Sequence, residues 1–320
     1  MVIVQELNQM KRVRWRWSKL LIRPDLWIWV MLLLGTGTSS AYAESVLERV
    51  SRTGVLTAGS SSSAGPFASQ DAEGNWVGYS IDILHLVRDR LAQTTGQNVR
   101  LEIAEASSRD RMRRLQEGQI DIVCDAISAT STRQVYATFS LSYFVTGTQF
   151  LVKQGQTSSP PNIRVGLVPG STNADIVRLR LPLARLVSMP NLMAGVNALN
   201  SGRIDAFASD GVLLEGLRRS LPNSGEFSVF PTTPYSREEY ACLLPKHDPD
   251  FQSLVNQTLL ELMQGVVDNN ATHRPLFDQW FGQQGNVPIE PSPVFELYQQ
   301  QIARAARQAQ QPDPVPQSSP

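Results

Sequence analysis

The sequence predicts an α/β protein of two lobes, each built around a mostly parallel sheet. Strand-like and helix-like segments alternate along the chain, the order that produces parallel sheets. A Leu-x-x-Gly-x-Ile-Asp unit occurs twice, in "LQEGQIDIVCD" (115–125) and in "LNSGRIDAFASD" (199–210). Each copy reads as a helix that ends at glycine and enters a short strand. The 320 residues, 42% of them hydrophobic, suffice for two domains of ordinary size.

The elements follow in chain order. At the N-terminus "KRVRWRWSKLLIR" is basic, "LWIWVMLLLG" is apolar and "AYA" precedes Glu44. This is the layout of a secretory signal peptide over 1–43, with an uncleaved anchor as the alternative. "VLTAG" (55–59) reads as a strand, Trp76 to Tyr79 as the end of a hairpin-like turn, and Ile81–Leu91 as an apolar helix. "VRLEIAEA" alternates as a strand, and "RDRMRRLQE" is a helix with Met112 and Leu115 inward. Its arginines read as a solvated face. Gly118 and Gly202 suit the left-handed position at a helix end. "GQIDIVC", with Ile120, Ile122 and Cys124 alternating, has the pattern of a half-buried strand.

Beyond Gln154, "GQTSSPPN" reads as a crossover linker or surface loop. "IRVGLVPGSTNADIVRLR" is strand, glycine turn and helix, and "PNLMAGVNALN" is a helix with Leu192, Val196 and Leu199 inward. "EYACLLPKHDPDFQSLVNQTLLELMQG" returns as strand and helix, and "HRPLFDQWFG" is the final helix. The polar, proline-rich end, "ARAARQAQQPDPVPQSSP", is expected to be disordered.

The formal net charge is zero, so nothing global points to nucleic acid or an anionic membrane. His85, His247 and His273 form neither a metal-ligand spacing nor a recognisable triad, so no metal or cofactor is expected. The two cysteines, Cys124 and Cys242, predict one disulfide in an exported chain. Two buried free thiols are the alternative.

The stretch "DAISATSTRQ" carries the first chemical signal. The hydroxyls of Ser128, Thr130, Ser131 and Thr132 follow a strand and lead to Arg133, a place to hold an anion. "PGST" begins a helix whose free amides suit an anion as well. Ligands in open α/β sheets sit beyond the carboxyl ends of strands. The repeated unit places two such ends, at Asp125–Ser128 and Ser209–Asp210, where two lobes would face each other.

Five segments in order, "GNWVGYSIDIL", "RDRMRRLQEGQIDIVCDAISATSTRQVYATFSLSYF", "VGLVPGST", "NALNSGRIDAFASD" and "EEYACLLPKHDPDF…FDQWF", carry a family resemblance. From about Ser51 to Gly282 the chain resembles the periplasmic amino-acid-binding proteins of the family-3 extracellular solute-binding class, most of all their glutamate/aspartate-binding branch. The resemblance implies a type II periplasmic binding protein clamshell with two crossover hinge strands, "TQFLVK" and "EYACLL". Lobe 1 would comprise 44–152 and 238–290, lobe 2 would comprise 153–237, and 291–320 would be a disordered tail. The implied protein is a periplasmic monomer, not an enzyme, that hands a small-molecule amino acid to the membrane subunits of an ABC permease.

By the same resemblance Arg133 grips the ligand's α-carboxylate, helped by Ser128 and by Thr172 with its neighbour Ser171. Asp210 receives the α-ammonium. A planar guanidinium meets a carboxylate with two parallel hydrogen bonds, which agrees with the first role. Arg111 and Ser108 match the groups that hold a side-chain carboxylate, and Cys124 and Cys242 match that branch's cysteines. The departures lie in the same pocket. Ser61 stands where the branch has an arginine, Leu192 where it has a histidine, Ala126 for a serine and Asp125 for a glycine. Asp125 either repels an acidic ligand or pairs with Arg111 and suits a polar neutral one. Phe67 is expected at the pocket wall. The rival readings are an enzyme of the same fold resembling cyclohexadienyl or arogenate dehydratases, with Asp125 as its acid or base, and a soluble ligand-sensing module.

Overall fold

The computed structural model describes residues 44–155 and 162–310. The expected signal peptide (1–43) and residues 311–320 lie outside the described residues, as do 156–161 in the "GQTSSPPN" loop.

The described residues begin with a helix that the sequence expectation did not include, α1 (Val46–Thr53). Ser45 and Glu48 form a reciprocal capping box at its start, which satisfies two otherwise orphaned donors. Next come β1 (Val55–Ser60), the short strands β2 (Ser63–Ala64), β3 (Ala68–Gln70) and β4 (Trp76–Val77), and helix α2 (Tyr79–Thr95). They are followed by β5 (Arg100–Glu105), α3 (Arg111–Gln116), β6 (Ile122–Val123), the single turn α4 (Ser131–Gln134) and β7 (Thr138–Thr146). The second lobe contains β8 (Thr148–Lys153), β9 (Arg164–Leu167), α5 (Thr172–Arg180), β10 (Arg185–Ser188), α6 (Leu192–Asn200), β11 (Ala206–Asp210), α7 (Gly211–Ser220) and β12 (Phe227–Phe230). The chain returns through β13 (Glu238–Leu244) and ends with α8 (Pro249–Val267), α9 (Arg274–Phe281) and α10 (Ser292–Gln310).

The two five-stranded sheets run β5-β1-β6-β13-β7 and β10-β9-β11-β8-β12. Both are mixed rather than mostly parallel. In each, three strands are parallel, and the other two join antiparallel. The antiparallel strands flank the two passages between lobes. A chain that leaves one sheet and returns after building the other arrives from the opposite direction.

The repeated sequence unit occupies the same place in both sheets, entering β6 and β11, the third parallel strands. Gly118 and Gly202 both have φ of 68°, the left-handed value that glycine adopts without Cβ strain. The following aspartates do identical work. Asp121 accepts the Thr57 N–H at 2.8 Å, and its own N–H donates to the Thr57 carbonyl at 2.7 Å. Asp205 accepts the Arg164 N–H at 2.8 Å and donates back to the Arg164 carbonyl at 2.8 Å. The motif is thus a clip that pins one parallel strand to the next.

Residues 120–124 are buried on both faces rather than half-buried. Ile122 and Cys124 join one hydrophobic cluster, and Ile120 and Val123 another. From Ile122 to Cys124 successive side chains alternate between the two cores, because β6 is a central strand covered on both sides, while Ile120, ahead of the strand, packs with Val123.

Two boundaries differ from the sequence expectation. All of "TQFLVK" pairs within the second sheet, so the first passage lies at Gly147, between β7 and β8, and not within that strand. The return passage is 231–237, ahead of β13. The passages touch: the Thr148 N–H donates to Ser236 Oγ at 3.0 Å, and the Tyr235 N–H donates to the Thr148 carbonyl at 2.9 Å. β8 and β9, which precede and follow the undescribed residues 156–161, belong to the same sheet.

The third difference concerns the C-terminus. Residues 292–310, expected as part of a disordered tail, form α10 with Val294, Leu297 and Tyr298 buried. That i, i+3, i+4 stripe is too sparse to hold a free helix but sufficient to dock one on lobe 1. The Tyr298 hydroxyl donates to the Tyr143 carbonyl at 2.9 Å and lies 2.6 Å from the Tyr79 hydroxyl.

Candidate ligand-binding site

A cleft of about 380 Å³ lies between the lobes, and every residue lining it follows or ends one of the six parallel strands. From lobe 1, Ser61–Ala64 follow β1, Glu105 to Arg111 follow β5, and Asp125 to Arg133 follow β6. From lobe 2, Val168–Asn173 follow β9, Pro190–Leu192 follow β10, and Ser209–Leu213 end or follow β11. The carboxyl-end rule thus holds in both sheets at once.

Of the residues singled out from sequence, Ser61, Ser108, Arg111, Asp125, Ser128, Arg133, Ser171, Thr172 and Asp210 all line this cleft. Phe67 does not. It is fully buried in lobe 1, edge-on to Phe144 at 4.9 Å and to Tyr240 at 5.1 Å. An aromatic ring with such partners gains more from the core than from a polar cleft.

Arg133 projects from α4, which Thr130 caps by accepting the Arg133 N–H. Its Nη1 donates to the Ser128 carbonyl at 2.8 Å and its Nη2 to the Gly170 carbonyl, across the cleft, at 3.2 Å. Guanidinium has five N–H donors, so these bonds fix its plane and leave donors for a ligand. The hydroxyls of Ser128 and Thr172 meet across the cleft at 3.4 Å. Helix α5 starts without a side-chain cap, because the Ser171 hydroxyl turns away and donates to the Val168 carbonyl at 2.8 Å. Its positive end therefore faces the cleft uncapped.

Asp210 ends β11 with its carboxylate buried. Oδ2 accepts the Tyr240 hydroxyl at 2.5 Å, Oδ1 has no donor at hydrogen-bond geometry, and the nearby Asn173 side chain favours the ionised form. Burial pushes this carboxyl up to about 6, opposed by the Tyr240 hydrogen bond. Tyr240 was not among the sequence candidates. It lies in β13 of lobe 1, and only the folded return of that strand brings it to Asp210. Glu105 was also missed, although its place at the end of β5 was the available signal.

Arg111 and Asp125, which also line the cleft, are both buried, with Nη1 3.7 Å from Oδ2. Arg111 is an exception to the solvated arginine face expected for α3. Burial pushes Asp125 up to about 6, and the neighbouring guanidinium of Arg111 only partly offsets this. The disulfide between Cys124, just past β6, and Cys242 in the neighbouring strand β13 is present beside the site. Among the described residues no cluster of metal-ligating side chains occurs.

Comparison with known proteins gives a consistent picture. The family description "Bacterial extracellular solute-binding proteins, family 3" matches residues 56–283. A glutamate/aspartate import solute-binding protein of Salmonella typhimurium is 28% identical over 286 residues, covering 83% of this chain and 91% of the relative. A cyclohexadienyl dehydratase of Pseudomonas aeruginosa is 27% identical over 257 residues, covering 78% and 91%. Among solved structures, an ancestral arginine-binding protein bound to glutamine superposes with a TM-score of 0.64 at 25% identity, covering 72% of this chain and 99% of that one. The fold is that of the type II periplasmic amino-acid-binding proteins.

Proposed function

The chain belongs to family 3 of the bacterial extracellular solute-binding proteins, and on that premise we propose that it is the periplasmic binding component of an ABC importer for a polar α-amino acid of the acidic or amide kind. The glutamate/aspartate import protein of Salmonella typhimurium supports the ligand class. The observation that carries the reading is the placement of opposite charges on the two walls of one cleft. Arg133 stands on lobe 1 and Asp210 on lobe 2, with hydroxyls and an uncapped helix start between them.

An α-amino acid carries a carboxylate and an ammonium on one carbon. The free donors of Arg133, the Ser128 and Thr172 hydroxyls and the α5 amides serve the carboxylate. Oδ1 of Asp210 serves the ammonium. Binding that draws the lobes together pairs these groups and excludes water, which a small ligand needs for useful affinity. Residues 1–43 would direct export, the protein would act as a monomer, and its partners would be the permease's membrane subunits.

Calorimetric titration with glutamate, aspartate, glutamine, asparagine and arginine tests this. Tight binding of one of the acidic or amide amino acids is expected. Folded protein that binds none of them would overturn the reading. The raised carboxyl of Asp125 is the group that a dehydratase would use as an acid, so the same protein is assayed for turnover of prephenate and arogenate. No turnover is expected.

The sign of the pH dependence follows from Asp210. An ammonium favours the ionised carboxylate, so binding releases a proton wherever the free site is protonated. Affinity is expected to be level above about pH 7. Below about pH 5.5 it should fall, the Asp210 contribution approaching tenfold per pH unit, the limiting slope for one coupled proton, and Asp125→Asn removes the contribution of the other cleft carboxyl raised to about 6. Titrations across that range check it, and affinity that rises as pH falls would contradict the role given to Asp210.

A further inference from the structure

Besides Arg133 and Asp210, the cleft lining holds a second set of charges of both signs. The 3.7 Å between Arg111 and Asp125 is an ion-pair distance and too long for a hydrogen bond. Among the described residues Asp125 is the one carboxylate within ion-pair reach of Arg111. Asp125 is also held from behind. The Tyr143 hydroxyl donates to its carbonyl at 2.5 Å, and Oδ1 accepts the Ala126 N–H at 2.7 Å. Oδ2 faces Arg111, and the Ser61 N–H also favours the ionised carboxylate. Glu105 also lines the cleft, its carboxylate accepting the Ser62 N–H at 3.1 Å.

Each class of ligand side chain meets this arrangement differently. A carboxylate gains Arg111 but is placed against Asp125 and Glu105. A cation gains Asp125 and Glu105 but is placed against the buried guanidinium of Arg111. An apolar group leaves the polar atoms desolvated and unpaired, which is costly. A primary carboxamide presents an acceptor oxygen and a donor NH₂ on one planar group. Its oxygen accepts from Arg111, its NH₂ donates to Asp125, and the pair's charge balance is undisturbed.

We propose that this site selects an α-amino acid whose side chain ends in a primary carboxamide, and that the Arg111–Asp125 pair, rather than Arg111 alone, makes the selection. This rests on the amino-acid reading above. Asp125 is then a specificity-determining residue that acts by cancelling a cation and supplying an acceptor.

The test is calorimetric titration of the full chain and of Asp125→Asn with glutamine, glutamate, asparagine, aspartate and arginine. The unaltered protein is expected to bind an amide at least about tenfold more tightly than the matching acid, the worth of one hydrogen bond to a charged group. Asp125→Asn keeps the shape, removes the negative charge and frees Arg111, so the ratio should move toward the acid by a similar factor. A purely structural role would weaken both ligands alike. An acid bound more tightly than its amide by the unaltered protein overturns the proposal, and so does an unchanged ratio in Asp125→Asn. The first of these needs no variant and decides the matter even if Asp125→Asn does not fold. An acid that binds, and whose binding needs Arg133, leaves the proposed function standing while this inference falls. Failure of every amino acid to bind removes both.

Discussion

Arg133→Ala is expected to weaken binding of the amino-acid ligand by a factor of about 100 or more. Hydrogen bonds to charged groups contribute about 1.5–3 kcal/mol each, and a bidentate guanidinium–carboxylate contact loses two. A loss of about 3–6 kcal/mol corresponds to roughly two to four decades in affinity at about 1.4 kcal/mol per decade. The ligand-free fold should be little affected. The guanidinium's own bonds run to two carbonyls at the cleft, those of Ser128 and Gly170. Titration and thermal unfolding of the same preparation separate the two effects. Arg133→Lys is the informative companion, because it keeps the charge and loses the planar fork. An alanine variant that binds as tightly as the unaltered chain would remove Arg133 from the site.

The second large effect belongs to the disulfide. Cys124 and Cys242 are 118 residues apart in sequence, yet they sit at neighbouring strands of lobe 1. Between them the chain builds the whole second lobe. The crosslink therefore restrains a long loop in the unfolded chain, which is where a disulfide exerts most of its influence in the chain-entropy picture. Replacing both cysteines with alanine, or reducing the bond, is expected to cost about 2–5 kcal/mol of stability. Denaturant unfolding of lobe 1, followed with and without reductant, measures it. Equal midpoints would mean that the hydrophobic contacts of β6 and β13 already hold the two passes together.

The extent to which the site was readable in sequence follows from where its residues come from. Ser128, Arg133, Thr172 and Asp210 lie at or just beyond strand ends within short, recognisable stretches, and local chain geometry delivers each to the cleft. Tyr240 was not readable, because its role arises from β13 returning to lobe 1 beside Asp210. Phe67 misled for the converse reason. An aromatic near a glycine-rich turn fits a pocket wall or a core equally well, and only Phe144 and Tyr240 decide for the core. Arg111 lies among exposed arginines in sequence, yet its i, i+4 spacing to the inward Leu115 puts it on the buried face of the helix, a signal the run of arginines obscured.

The hinge and the C-terminal helix show the same division. "TQFLVK" is a strand on its pattern alone, but which sheet it joins depends on partners elsewhere in the chain, β11 and β12. The segment 292–310 is polar enough to be expected disordered, and it becomes helix α10 because three buried side chains find lobe 1 to pack on. The sequence by itself determined the two α/β lobes, the paired glycine-aspartate clips, the cysteine pair and the residues offered at strand ends, since these follow from local propensity, periodicity and side-chain chemistry. The tertiary structure alone decided where the chain crosses between lobes, which strands run antiparallel, and that Asp125 stands against Arg111. Those depend on contacts between residues far apart in the chain, whose free energy is realised only when the fold brings them together.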